Sequence, residues 1–209
     1  MISRRHFLGA SSLAVAGVTT GCRQALESGE NADENGDLPL SIAALPSRAE
    51  EATPISAAER QGRIEKARSL MTALGMDGLM LTGGTSLNYF TGIGWGLSER
   101  LFTIVIPVRG QPFLVCPAFE EDRAREQLHG GPLADTEVLT WHEDESPHTL
   151  VAGGLRARGL GTGRLGIEET VRFVFSDGVA QAAPALTLTS GIPVTAGCRG
   201  VKDEHELAL

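Results

Sequence analysis

The residue types best suited to binding chemistry are concentrated in one segment, residues 83–100, which reads GGTSLNYFTGIGWGLSER. It holds the chain's only tyrosine, Tyr89, and one of its two tryptophans, Trp95, among five glycines, and it ends on Arg100. Glycines let a backbone approach a ligand closely, and an aromatic wall with an arginine can hold a small molecule that carries a carboxylate. The alternative is a structural loop whose aromatic rings fill the core and whose Arg100 makes a surface ion pair.

Two other patterns have the composition of a site but not its spacing. GTGRLG at 161–166 matches G-x-G-x-x-G, but it precedes a predicted strand instead of following one, so we interpret it as a loop between a helix and a strand. HEDESPH at 142–148 fits no zinc or calcium template, and we interpret it as a solvated acidic loop. Since the sequence also lacks G-x-S-x-G and C-x-x-C, residue pattern alone predicts no catalytic centre.

The sequence predicts that helices alternating with strands position these residues. Ser56 and Glu59 form the capping box of a first helix, which ends at Gly75 and leads into a strand at 79–81. Further strands are predicted at 101–107, 112–116, 137–141, 164–168 and 186–189, and further helices at 119–128, from 147, at 176–183 and from 202. The strands at 101–107 and 112–116 form a hairpin, so the predicted fold class is α/β, a mixed sheet flanked by helices.

A signal segment is predicted at residues 1–22. Arg4 and Arg5 precede a short apolar run and resemble the twin-arginine export signal of bacteria; the alternative is an ordinary secretory signal. The run is too short to span a bilayer, which needs ~20 residues. Residues 19–22 resemble a lipoprotein cleavage box, so Cys22 is either lipidated or lost with the segment. We therefore expect an exported chain, periplasmic or membrane-anchored, whose single link to a membrane is a lipid on Cys22.

Residues 23–55 are predicted to be a flexible linker before the folded domain. They are polar, acidic and interrupted by prolines, so they bury too little apolar surface to offset the entropy of ordering. The whole chain has a net charge of −8. That charge argues against nucleic-acid binding, because phosphate contacts need clustered lysine and arginine.

Cys116 and Cys198 are the two cysteines outside the signal segment. In an oxidising compartment they could form a disulfide. Because Cys116 lies in an apolar run at 113–116, we favour two buried thiols that act as small hydrophobic groups.

Several strings of the folded part resemble, in order and spacing, the N-terminal domain of the creatinase and prolidase family, which includes Xaa-Pro dipeptidases and aminopeptidases. They are GMDGLML at 75–81, NYFTG at 88–92 and Glu99-Arg100. WHEDESP at 141–147, GIEE at 166–169 and PVTAGCR at 193–199 are similar to one exported bacterial branch. The resemblance covers residues 56–209 and places the domain at 56–200. RGVKDEHEL at 199–207 is similar to the R-x-x-K-x-x-x-E-L junction, so residues 201–209 are expected to begin a catalytic domain that this sequence lacks.

The resemblance implies that this domain breaks no bonds and that the chain alone is inactive. The family's catalytic domain holds two divalent metals, manganese, cobalt or zinc; none of their ligands can be assigned here, and no cofactor is expected in this chain. The resemblance also implies a homodimer in which Arg100, eight residues after Gly92, reaches the neighbouring subunit's active site and grips the substrate carboxylate. Trp95 is a second candidate, as a wall of that pocket, while Asn88 and Tyr89 would hold the loop to the fold.

The predicted function is that of the non-catalytic N-terminal part of a metal-dependent Xaa-Pro peptidase, contributing dimer contacts and substrate recognition. Its partners would be its own catalytic domain, a second copy and a peptide with proline at the second position. One alternative is a stand-alone exported lipoprotein that serves as a binding module; the helix from Lys202, which has no C-terminal cap, argues against it. Another is the N-terminal domain of a creatinase-type amidinohydrolase.

Overall fold

The computed structural model describes residues 39–46 and 49–208 of the chain, which divides into two units, residues 1–48 and 49–209. The described part of the first unit contains one four-residue helix, Leu40–Ala43, with exposed side chains. In the second unit a short 3-10 helix, Ala49–Glu51, precedes the folded part. Both helical stretches lie within the predicted linker. The signal residues Arg4 and Arg5 and the lipidation candidate Cys22 lie outside the described residues.

The second unit is built on a six-stranded mixed sheet, which confirms the predicted α/β class. Its elements, in chain order, are α1 Ala57–Leu74, β1 Gly78–Thr82, α2 Thr85–Thr91, β2 Thr103–Pro107, β3 Phe113–Pro117, a 3-10 helix Ala118–Glu120, α3 Glu121–Leu128, β4 Glu137–Trp141, α4 Pro147–Ala157, β5 Gly163–Ile167, α5 Phe173–Ala182, β6 Leu186–Ser190, α6 Ile192–Arg199 and α7 Glu204–Ala208. The strand order is β4-β3-β2-β1-β5-β6. Strand β2 pairs antiparallel with both β1 and β3, as the predicted hairpin requires, and the other neighbours pair in parallel.

The three central strands β1, β2 and β3 are buried along their whole length because helices cover both faces of the sheet. Successive strand residues point to opposite faces. Accordingly Leu79 and Leu81 of β1 join a core cluster with α1, α2 and α6, while Met80 joins a second cluster with α4 and α5. The domain therefore has three layers, with β1 at the centre of both cores.

The first helix begins and ends where the sequence predicts. The Ser56 side chain accepts a hydrogen bond from the Glu59 amide, and the Glu59 carboxylate accepts one from the Ser56 amide, so the capping box is complete. Gly75 ends the helix in the left-handed conformation, with φ 63°. Three of its four buried residues are apolar, Ile64, Ala67 and Met71, and they follow one another at intervals of three and four positions, the spacing of a single helix face.

Two helices differ from the expectation. Residues 85–91, interpreted as part of a loop, form α2 between Gly84 and Gly92, and α6 at 192–199 is a helix that the sequence reading did not include. A helix of seven residues has too few internal hydrogen bonds to be stable alone, so α2 depends on its neighbours. Two arginines of α1, Arg60 and Arg63, donate hydrogen bonds to carbonyl oxygens in the C-terminal half of α2.

Cys116 and Cys198 are free and buried, as favoured above. Burial raises the pKa of the Cys116 thiol to about 12 and also raises the pKa of Cys198. Within the described ranges, none of the helices has both the length and the apolar composition that crossing a bilayer requires.

Candidate functional site

Residues 83–100 form a helix followed by an extended stretch that returns to the end of β1. Gly83 lies directly against this returning stretch: a Cβ there would be 2.7 Å from the Trp95 carbonyl oxygen and closer still to that of Gly96. No side chain fits in that space, so the position requires glycine. The Gly94 amide donates to the Gln127 side chain of α3 at 2.9 Å, which fixes the stretch from its other side.

Trp95 lies in the core beneath this stretch, with only 6% of its surface exposed. Its ring stacks on Phe102 with centroids 3.8 Å apart, and the guanidinium of Arg123 from α3 lies 4.1 Å from its centre. The tryptophan thus holds the extended stretch to the domain. Its assignment to the wall of a substrate pocket stays a prediction.

Arg100 ends the segment with its side chain 40% exposed. Its Nε donates to Glu143 in the turn after β4, and its Nη1 donates to Glu99, both at 2.7 Å. The hydrogen bond that Arg100 donates to Glu143 raises the pKa of Arg100 above its ordinary value. The guanidinium therefore makes one charge-assisted hydrogen bond to each of two different carboxylates.

A second arginine, Arg172, lies beside Arg100. It donates to the Ser98 carbonyl oxygen at 3.2 Å, and both arginines line one cleft with Gly83 and Phe175. The cleft has a volume of only about 10 Å³, room for no more than a water molecule. Nothing in the local sequence indicated Arg172, because 72 residues separate it from Arg100 and only the fold brings them together.

A larger cavity of about 570 Å³ lies between the edge strand β4 and helix α4. Its walls are mostly apolar, with Leu139 and Trp141 on the strand and Leu150 on the helix, and the Arg158–Glu137 ion pair at 2.8 Å borders it. It contains no pair of groups arranged as nucleophile and base. The sequence reading missed this groove because strand and helix were considered separately.

The two patterns interpreted as non-catalytic are a connection that leads into a strand and an exposed turn. Residues 161–162 lie in the connection before β5, whereas residues 163–166 lie within the strand itself, so the loop interpretation holds only for the first two residues. The G-x-G-x-x-G pattern thus leads into a strand and presents no helix N-terminus to a phosphate. Residues 142–146 form an exposed turn in which the Glu145 carboxylate accepts from the His142 amide at 2.8 Å. Among the described residues, no three histidine, cysteine, aspartate or glutamate side chains are grouped so as to hold a metal ion.

Comparison with known proteins places this geometry in context. The profile of the Creatinase/Prolidase N-terminal domain matches residues 63–201, about two thirds of the chain. An uncharacterised peptidase of Schizosaccharomyces pombe is 28% identical over 177 residues, which cover 79% of this chain and 37% of the relative. A Xaa-Pro dipeptidase of Lactobacillus delbrueckii subsp. lactis is 27% identical over 95 residues, which cover 46% of this chain and 24% of the relative.

A solved N-terminal domain of a Xaa-Pro dipeptidase from Lactobacillus brevis has the same fold, with a TM-score of 0.57 and 18% identity. That match covers 66% of this chain and 99% of the solved domain. The chain spans less than two fifths of the length of the two curated relatives, so the part they share with it is a domain of each. On its matched profile and its fold, the chain belongs to the creatinase/prolidase N-terminal domain family, as found in Xaa-Pro dipeptidase-like proteins.

Proposed function

We propose that this chain is the non-catalytic N-terminal part of a metal-dependent Xaa-Pro peptidase and that it contributes dimer contacts and substrate recognition. The observation that carries the proposal is Arg100, an exposed guanidinium bonded to two carboxylates beside a cleft too small to enclose a ligand. Such a group can exchange its present partners for the carboxylate of a peptide. The rest of the site would have to come from another surface, which in the proposed dimer is the neighbouring subunit.

The bond-breaking chemistry belongs, in this proposal, to a separate catalytic domain. Two divalent metals, manganese, cobalt or zinc, would supply hydrolytic chemistry there. In this proposal the metal ligands lie on the catalytic domain, and the role of this chain is to bind and orient the substrate. The proposal also includes export of the chain through the signal at residues 1–22. The export machinery would recognise Arg4 and Arg5, and Cys22 would be either lipidated or removed.

The assignment of Arg100 is tested in the peptidase that contains this chain, with Arg100→Gln. We expect KM for Xaa-Pro substrates to rise about tenfold while kcat changes little, because a contact to the substrate's end is equally strong in the ground and transition states. Arg109→Gln, at an exposed turn, removes the same charge and should leave KM unchanged. An unchanged KM in Arg100→Gln would contradict the assignment.

The non-catalytic role is tested on this chain alone. Purified and supplied with manganese, cobalt or zinc, it is expected to hydrolyse no Xaa-Pro dipeptide. Turnover that survives repurification would overturn the proposal.

A further inference from the structure

A further cavity lies at the N-terminal half of the 83–100 segment, where Thr85, Asn88 and Tyr89 line it. It shares no lining residue with the Arg100 cleft. It has a volume of about 310 Å³ and is bounded by α1, α2 and the residues around α7. Four cationic side chains line it, Arg60, Arg63, Arg199 and Lys202, against one carboxylate, Glu206. We propose that this cavity binds a small oxyanion, a carboxylate or a phosphate, through these four cations.

The charges in the cavity are incompletely neutralised. Arg63 lies 3.3 Å from Glu206 and 3.7 Å from Asp203, Lys202 lies 3.8 Å from Glu206, and Arg199 lies 3.5 Å from Glu169. A well-formed arginine–carboxylate pair has its atoms 2.7–2.9 Å apart, as Arg125 and Glu121 do at 2.7 Å.

Arg63 carries the strongest indication of a missing partner. Only 8% of its side chain is exposed, and its guanidinium lies 4.1 Å from the centre of the Tyr89 ring. Nη1 donates to the Tyr89 carbonyl oxygen at 3.2 Å, and Nη2 lies 3.3 Å from Glu206 and 3.7 Å from Asp203 without making a hydrogen bond to either. Nε is buried and has no hydrogen-bond acceptor among the described residues. Leaving charged donors buried and unbonded is costly, and an oxyanion in the cavity can accept from them.

Arg60 adds a second cation beside the first. It donates to the Asn88 and Tyr89 carbonyl oxygens, and the described residues place no carboxylate within 4.0 Å of its guanidinium. Burial, together with the neighbouring Arg63 charge, lowers the pKa of Arg60. An anion between the two guanidinium groups would relieve their repulsion, which a neutral ligand would leave in place.

The experiment uses the full chain, titrated with sodium phosphate and, separately, sodium acetate at constant ionic strength with chloride as the reference. The ring proton signals of Tyr89 report on the cavity without ambiguity, because the chain has no other tyrosine. We expect saturable shifts with at least one of the two probes. Shifts with phosphate alone assign a phosphate group, shifts with acetate alone assign a carboxylate, and shifts with both support oxyanion binding without preference.

Lys202→Gln is the informative variant. Lys202 is 56% exposed, and the one ion pair that it makes with the described residues is to Glu206 at 3.8 Å. Its loss is therefore expected to leave the fold intact, whereas loss of Arg60 would also remove hydrogen bonds to α2. Binding should weaken about tenfold in Lys202→Gln and remain unchanged in Arg109→Gln, which removes one positive charge elsewhere. Absence of saturable shifts with both probes, or equal binding by Lys202→Gln and the unaltered chain, would overturn the proposal.

Discussion

Two neighbouring glycines of α4, Gly153 and Gly154, differ in what surrounds them. A Cβ at Gly154 would lie 2.5 Å from the Phe113 ring of β3, whereas a Cβ at Gly153 would meet nothing closer than an Arg156 nitrogen at 3.9 Å. Gly154→Ala should therefore force the helix off the sheet and lower the free energy of unfolding by about 1–3 kcal/mol. Urea denaturation measures the difference.

Gly153→Ala is the matched control, since it makes the same change one position earlier. Alanine is the better helix former, so this variant should gain up to about 1 kcal/mol. Equal stabilities of the two variants would show that α4 is free to move away from Phe113.

At the scale of single residues, the sequence identifies which residue types could bind a ligand but not which side chains surround each of them. Arg100 is a candidate because of its place at the end of an aromatic, glycine-rich segment, and 40% of its side chain is exposed. Its carboxylate partner Glu143 stands 43 positions later, and the stacking of Trp95 on Phe102 follows from a backbone path that residue spacing does not encode. The buried position of Trp95 agrees with the alternative stated from the sequence, a structural loop whose aromatic rings fill the core. Its partner Phe102 is set by tertiary structure and could not be identified from residue spacing.

A histidine of helix α7, His205, contacts the start of α1 and the residues before it. His205 Nδ1 lies 2.5 Å from Glu59 Oε1, and its Nε2 lies 2.9 Å from the Thr53 carbonyl oxygen. The hydrogen bond to Glu59 raises the pKa of His205. Hydrogen bonds from Ser56, followed by the one from His205, lower the pKa of Glu59 to about 2.

This contact should depend on pH. A histidine whose pKa is raised by folding stabilises the protein fully below its unfolded value, about 6.5, and loses that contribution as the pH rises through the higher folded value. The Glu59 contribution is present above its unfolded pKa of about 4.5 and is lost as the pH falls through about 2. The stability difference between the unaltered chain and His205→Gln should thus be largest between about pH 4.5 and 6.5 and decline above that range.

Denaturation at pH 5, 7 and 9 measures this difference, and subtraction at each pH cancels the other titrating groups. His129→Gln is the control, because His129 is exposed at the end of α3 and has no comparable partner among the described side chains. A His205→Gln difference that is the same at all three pH values would contradict the pH dependence of this contact.

At the scale of elements, local signals sufficed where a helix has its own caps. The Ser56 capping box and the Ser146-Pro147 start predicted α1 and α4 correctly. Helix α2 has no such signal, since it lies between glycines and is stabilised by burial of Leu87 and Phe90 and by arginines of another helix. Helix α6 did have one, a proline in its first turn, which the sequence reading did not use.

The two thiols should report on the molecule as a whole. Cys116 of β3 and Cys198 of α6 are buried in the same core cluster, and burial raises both pKa values. Because the thiolate is the reactive form, neither should react with a disulfide reagent such as DTNB at pH 8 while the domain is folded. In a Cys22→Ser chain, both are expected to become reactive together as denaturant unfolds the domain.

Absorbance of the released thiol dye, compared with circular dichroism across the same denaturant series, checks this expectation. One thiol that reacts before the structure is lost would show that its part of the core opens independently.

At the scale of the whole molecule, the order of the strands in the sheet is the part of the fold that the sequence did not predict. Alternating helices and strands predicted a mixed sheet, and a short turn predicted the β2–β3 hairpin, because both are local patterns. The neighbour of β1 on its other side is β5, whose Leu165 pairs with Gly78. This pairing joins residues 87 positions apart, and Asp77 reinforces it by accepting from the Arg164 amide at 2.8 Å. Strand order depends on such distant contacts.

The close contact of Gly83 with the main chain at residues 95 and 96 also limits which substitutions this domain can accept. Backbone carbonyl groups occupy the volume into which any other residue would place its Cβ, and backbone cannot rotate away as a side chain can. A substitution at Gly83 would therefore have to move the main chain at residues 95 and 96, and with it the Trp95 ring that stacks on Phe102.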